Sequence, residues 1–331
     1  MPDRLVDRSP TVAPEELVAS LVPPPRFAAA RFSTYEPDPA QPSQAAALLS
    51  LQAFSASIGS PAPRRGRFRK QAERPSATGV YLDGGFGVGK THLLAALWHD
   101  APEPRSYGTF VELTSLVGAL GFAATVDALR DRRLVCIDEF ELDDPGDTVL
   151  MSTLLARLTE AGVRLAATSN TQPEDLGAGR FAADAFLREI QGLSRVFAVV
   201  TVDGEDYRHR GLPAAPPPRS DAEVVAAVGR ATTATLDDFS ALGAHLASLH
   251  PSRYGRLVDG VVLVGLVGVA PVADQDVALR LVVLIDRLYD RDVAVRASGI
   301  PLDQLFPPEL LAGPYRKKYS RALSRVTALA R

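Results

Sequence analysis

Residues 79–92 read GVYLDGGFGVGKTH, and within them Gly84, Gly89, Lys90 and Thr91 meet the spacing G-x-x-x-x-G-K-[ST]. Each residue type has a chemical reason for its place. Gly84, Gly85, Gly87 and Gly89 let the backbone wrap closely and aim its N–H groups at phosphate oxygens, with Phe86 and Val88 carried in the same loop. The helix expected after the loop adds the positive end of its dipole. Lys90 offers a point charge to the β- and γ-phosphates, and Thr91 offers a hydroxyl to Mg2+. The chain otherwise chooses arginine and holds only Lys70, Lys90, Lys317 and Lys318, so a lysine at position 90 is itself informative. His92 follows Thr91 directly, which places it near the expected base, although a structural role is the more ordinary one there. The cofactors implied are ATP and Mg2+.

A second group of residues completes the chemistry. In RLVCIDEF an apolar run ends in Asp138 and Glu139. A carboxylate at a strand end can hold the water shell of Mg2+, and Glu139 beside it can polarise an attacking water. Cys136, within the run, reads as core filler. In AATSN, Asn170 ends the next strand, where a polar side chain can orient water against a γ-phosphate. One additional strand, within SYGTFVEL, lies between the phosphate loop and RLVCIDEF. That order, with Glu139 next to Asp138, favours ATPases with a strand-borne catalytic glutamate over nucleotide kinases and GTPases.

These side chains need a scaffold. From residue 79 onward, strand and helix patterns alternate: GVYL, THLLAALWH, SYGTFVEL, LVGALGFAATVDALR, RLVCIDEF, DTVLMSTLLARLTEAG, VRLAATSN and FAVVTVDG. Five strands alternating with helices predict a three-layer α/β core on a parallel five-stranded sheet. Asp143, Asp144 and Asp147 read as exposed acids at a helix N-terminus. Residues 1–60 form an N-terminal extension and a helix, 61–210 the core, 211–220 a proline-rich linker, and 221–331 a smaller, mainly helical domain. In that last part TLDDFSALGAHLASLH reads as a helix capped by Thr235 and Asp238, and residues 261–272 as a buried strand or turn.

Composition limits the rest. A formal charge of −3 gives no global pull toward nucleic acid or anionic lipid, though residues 64–70 are locally basic. The single cysteine excludes an internal disulfide and, with no secretory pattern at the N-terminus, points to the cytoplasm. The longest apolar run, 261–272, is too short to span a bilayer. A peripheral membrane attachment is compatible with all of this. The five histidines and one cysteine show no metal-ligand spacing.

YLDGGFGVGKTHLL, CIDEFELDDPGDTVLMSTLLARL, AATSNTQPEDL, AFLREI, VDGEDYRHR and LIDRLYD together resemble the ZapE family of AAA+ ATPases, the AFG-one-like ATPases. The resemblance runs from about residue 35 to the C-terminus. It implies an AAA+ fold with a helical lid, ATP hydrolysis and ring-like homo-oligomers. Bacterial members of the family are linked to cell division and the FtsZ ring, and mitochondrial relatives to quality control of inner-membrane proteins. AAA+ enzymes complete their sites with arginines. The matching candidates for a finger acting on a neighbouring subunit are Arg188 and Arg195, with Arg180 a third; the lid candidate is Arg280, ahead of Arg321 and Arg325. The expected function is Mg2+-dependent ATP hydrolysis coupled to remodelling a protein partner. Two rivals stand beside it: a DNA-linked ATPase of the replication-loader or transposition-helper kind, and a scaffold that binds ATP without turnover.

Overall fold

The computed structural model describes residues 2–11, 13–58, 78–85, 87–142, 145–172, 176, 187–204 and 215–330. Phe86, Asp143, Asp144, Arg180, the basic stretch 64–70, the DYRHR motif and the first part of the linker lie outside the described residues. The chain divides into two compact units. One comprises Pro14–Pro23 and Phe27–Tyr207; the other comprises Met1–Ala13, Pro24–Arg26 and Arg208–Arg331. Residues 1–60 are thus shared between the units.

In the first unit α1 (Pro14–Ala19) and α2 (Pro42–Ser57) precede β1 (Gly79–Asp83), α3 (Lys90–Asp100), β2 (Arg105–Thr109), α4 (Phe110–Leu120) and α5 (Phe122–Leu129). Then follow β3 (Leu134–Asp138), α6 (Pro145–Glu160), β4 (Arg164–Ser169), α7 (Leu187–Val196) and β5 (Phe197–Thr201). The five strands are parallel in the order β2-β3-β4-β1-β5. Strand side chains alternate between faces, so each strand feeds two cores. Tyr81, Val135, Ile137, Leu165 and Ala167 pack into one, with α4 and α6. Val80, Leu82, Leu134, Cys136 and Ala166 pack into the other, with α2 and α3. The result is the three-layer P-loop NTPase arrangement. It leaves the carboxyl ends of β1, β3 and β4 side by side, where such folds hold ligands.

SYGTFVEL is only half strand. Thr109 accepts a hydrogen bond from Glu112 N, and the Glu112 carboxylate accepts one from Thr109 N, a capping box that starts α4 at Phe110. LVGALGFAATVDALR is likewise two helices, broken at Gly121, whose φ is +81°.

The second unit contains α8 (Asp221–Arg230), β6 (Ala234–Asp238), α9 (Phe239–Ser248), α10 (Tyr254–Leu257), β7 (Leu263–Val269), α11 (Gln275–Asp290), β8 (Ala294–Gly299), α12 (Pro308–Ala312) and α13 (Arg316–Leu329). It is mainly helical, as expected, but is built on a parallel sheet of order β6-β7-β8. Residues 263–269 of the apolar run form the central strand. TLDDFSALGAHLASLH does not form one helix. Thr235 lies in β6, and Asp238 alone caps α9 by accepting from Ala241 N.

Residues 3–8 are tied to this unit as a strap. Leu236 N donates to Asp3 O, and Leu5 N and Val6 N donate to the buried carboxylate of Asp237 at 3.0 and 3.1 Å. Leu5 is fully enclosed in the unit's core, and burying a leucine contributes about 2 kcal/mol. Burial holds the Asp237 carboxyl above the usual range, and the two N–H donors pull against that rise.

The motif LIDRLYD lies in α11 and has a packing role. Its Asp286 accepts from Arg321 at 3.0 Å and also pairs with Arg325, both from α13, and all three side chains are largely buried. Removing one member of a buried ion network leaves the remaining charges poorly compensated. Asp286→Ala is therefore expected to destabilise the second unit by about 3–5 kcal/mol. Hydrogen exchange over α11 and α13 measures this, and unchanged protection there would contradict it. Among the described residues, no single helix is long and apolar enough to cross a membrane.

Candidate functional site

The turn between β1 and α3 is one that only glycine can make. Gly84 has φ +154°, and a Cβ there would lie 2.1 Å from Val202 O. Gly89 has φ +94°, and a Cβ there would meet the Tyr35 ring at 2.7 Å. The turn wraps a buried lysine. Lys90 Nζ donates to Gly84 O at 2.8 Å, to Gly85 O, and to Asn170 Oδ1 at 2.8 Å. The last bond joins two residues that the sequence separates by 80 positions. Register explains the meeting: β1 and β4 are neighbours, with Asp83 beside Ser169, so the phosphate loop and Asn170 leave the sheet together.

Asp138 ends β3 and is also buried. Its Oδ1 accepts from Thr91 Oγ1 at 3.3 Å, from Glu139 N at 3.2 Å, and from Thr168 Oγ1. Its Oδ2 accepts from Tyr107 OH at 2.9 Å. Glu139 then leaves the strand with φ +56°, a left-handed conformation that is costly for a side chain with a Cβ. Glu139 N reaches Thr168 Oγ1 at 3.1 Å, and Phe140 N donates to Thr168 O at 2.7 Å. These bonds hold the turn in its strained form.

Thr91 and Asp138 bring a hydroxyl and a carboxylate together, both hard oxygen donors. Mg2+ takes such ligands, one or two carboxylates with phosphate and water making up the rest. No group of three or more His, Cys, Asp or Glu residues gathers elsewhere among the described residues. The donor set therefore fits Mg2+ held jointly with a phosphate.

His92, on α3, packs against the segment before α2. Its Nε2 lies 3.1 Å from Thr34 Oγ1 and 3.3 Å from Arg31 O, and its ring is tilted against Tyr35 at 5.7 Å. Tyr35 OH donates to Val88 O at 3.3 Å, and burial pushes its phenol pKa up. Arg188 and Arg195 are exposed on α7. Arg280 is engaged within its own unit, donating to Leu246 O at 3.1 Å, to Leu249 O at 3.0 Å and to Tyr254 OH at 3.4 Å. The alternatives Arg321 and Arg325 are those paired with Asp286. Cys136 is enclosed beside Leu94 O, and burial raises its thiol pKa well above the usual range, as expected of core filler.

Sequence reasoning missed Tyr107, Thr168 and Tyr35. Thr168 carried a usable signal, because it lies two positions before Asn170 and strand side chains return to one face every two residues. Tyr107 and Tyr35 carried none, because their roles depend on strand order and on the path of the N-terminal segment.

The model of the AFG1-like ATPase family matches residues 11–226 and 217–331, nearly the whole chain. Cell division protein ZapE of Escherichia coli K12 is 32% identical over 162 residues, which cover 44% of this chain and 42% of the relative. An uncharacterized protein of Schizosaccharomyces pombe is 28% identical over 148 residues, covering 39% of this chain and 33% of the relative. Each match thus spans less than half of the curated relative. Among solved structures, AMPPCP-bound DnaA from Aquifex aeolicus aligns over 62% of this chain and 56% of its own, at 12% identity and a TM-score of 0.40, a likeness too loose to bear on function.

Proposed function

We propose that the chain, which belongs to the AFG1-like ATPase family, is a Mg2+-dependent AAA+ ATPase whose turnover remodels a protein partner. The observation that carries this is a pair of contacts at the strand ends. The Lys90 ammonium meets Asn170 at 2.8 Å, and beside it the Thr91 hydroxyl meets Asp138 at 3.3 Å. A cation, an amide, a hydroxyl and a carboxylate so placed are the parts that phosphoryl transfer to water requires.

In this reading phosphate oxygens replace the carbonyls of Gly84 and Gly85 as partners of Lys90. Backbone N–H groups of Gly84, Gly85 and residues 87–91 surround the phosphates, and the N-terminus of α3 favours their charge. Thr91 and Asp138 would hold Mg2+, which would supply positive charge against the phosphates. Asn170 orients the attacking water, and Glu139 takes its proton as the oxygen bonds to the γ-phosphorus and the bond to ADP breaks. Arg188 or Arg195, exposed on α7, completes the neighbouring subunit's site in a homo-oligomer. The partner is proposed to be the division machinery, on the strength of the Escherichia coli relative's name as a cell division protein, and within it FtsZ, which the family resemblance implies.

Steady-state hydrolysis by purified protein across a concentration series tests this, with and without FtsZ and with and without single-stranded DNA. Specific activity should rise with protein concentration and rise again with FtsZ. Stimulation by DNA alone would favour the replication-loader reading. ATP bound tightly with no turnover under any condition would favour the scaffold.

A further inference from the structure

We propose that Tyr107 is a positioning residue for the acidic pair: its hydroxyl fixes the Asp138 carboxylate in the orientation that accepts a divalent cation. The proposal rests on the ATPase reading above and names a residue that reading does not use.

Tyr107 lies on β2 in register with Cys136 on β3, two residues before Asp138. From there its ring passes through the core, where only 2% of the residue is accessible, and its hydroxyl arrives 2.9 Å from Asp138 Oδ2. A buried phenol needs a partner for its proton, and Asp138 Oδ2 supplies it. The other oxygen is held from the opposite strand, and the direction of each bond there follows from chemistry. Glu139 N–H can only donate, so Thr168 Oγ1 accepts from it at 3.1 Å. The one hydroxyl proton of Thr168 is then directed to Asp138 Oδ1. Tyr107 from β2 and Thr168 from β4 therefore grip the carboxylate of β3 from both sides. Each donates one hydrogen bond to it. Through Thr168 the same grip reaches the backbone of Glu139, so the metal carboxylate and the water activator are set by one network.

Partners that orient a metal ligand from behind are commonly worth about 10–100-fold in metal affinity. The test uses calorimetric ATP binding across a Mg2+ titration and in EDTA, for the parent, Tyr107→Phe, Asp138→Asn and the double variant. Tyr107→Phe keeps the ring in the core and removes only the hydroxyl. The expected result is a Mg2+ requirement raised about tenfold, with ATP affinity in EDTA unchanged and with the double variant equal to Asp138→Asn alone. An unshifted Mg2+ midpoint would overturn the proposal. So would an equal loss with and without the metal, or an equal loss in the Asp138→Asn background, since either would mark a merely structural role. Should Tyr107→Phe fold poorly, Thr168→Val removes the opposite hydroxyl at nearly constant shape and is held to the same ratio. A parent protein that binds no ATP with or without Mg2+ would overturn the ATPase reading itself, and the clamp with it.

Discussion

Glu139→Gln is expected to bind ATP as tightly as the parent and to release phosphate at least about a hundredfold more slowly, in line with the loss of a general base. The amide keeps the size of the side chain and leaves untouched the backbone bonds from Glu139 N to Asp138 Oδ1 and Thr168 Oγ1. Only the capacity to take a proton disappears. Lys90, Thr91 and Asp138, which carry the binding, are unaltered. Rapid-filtration binding beside single-turnover hydrolysis separates the two quantities. Turnover at the parent rate would show that Glu139 does not activate water. Glu139→Gly makes a useful contrast. It removes the same carboxylate but also relieves the left-handed backbone at φ +56°, so it should gain about 1 kcal/mol of stability while being equally inactive.

Lys90→Ala should abolish measurable ATP binding. The ammonium is the one cation that the described phosphate loop contributes, and it is buried and held by three oxygen acceptors. Exchanging the Gly84 and Gly85 carbonyls for phosphate oxygens keeps its hydrogen bonds and adds charge attraction. Removing one partner of a buried charged contact typically costs about 2–5 kcal/mol, or roughly 30- to several-thousand-fold in affinity. The loss should be present in EDTA as well as in Mg2+, unlike that of Tyr107→Phe. Affinity within a factor of about three of the parent in calorimetry would refute the cradle assignment.

The three stretches that build the candidate site were legible because the proposed chemistry is local. A phosphate loop needs its glycines, lysine and threonine within a few positions, and an apolar strand ending in two acids is a contiguous signal. The five-stranded core followed from the alternation of patterns. What stayed hidden was set by distance or by short, ambiguous runs. Phe110 and Val111 suit a strand as well as a helix, and only the capping bonds between Thr109 and Glu112 settle the matter. β6 hid in the same way, because Leu236 continues the helical spacing of Phe239 and Leu242. The guanidinium of Arg280, the lid candidate that the resemblance implies, donates to two carbonyls and a phenol of its own unit. Those partners lie 26–34 residues earlier in the chain, beyond the reach of periodicity.

The strap formed by residues 3–8 has a consequence for the order in which the protein can be made. Leu5 leaves the ribosome 232 residues before Asp237, the carboxylate that receives its N–H. Throughout that interval the strap has no docking place, and before it ends β1 to β5 and the phosphate loop become available to assemble. The candidate site can thus mature on a nascent chain, whereas the second unit closes only after its own strands emerge and residues 3–8 return to them. A translation pause between residues 205 and 237 would fall between these two events.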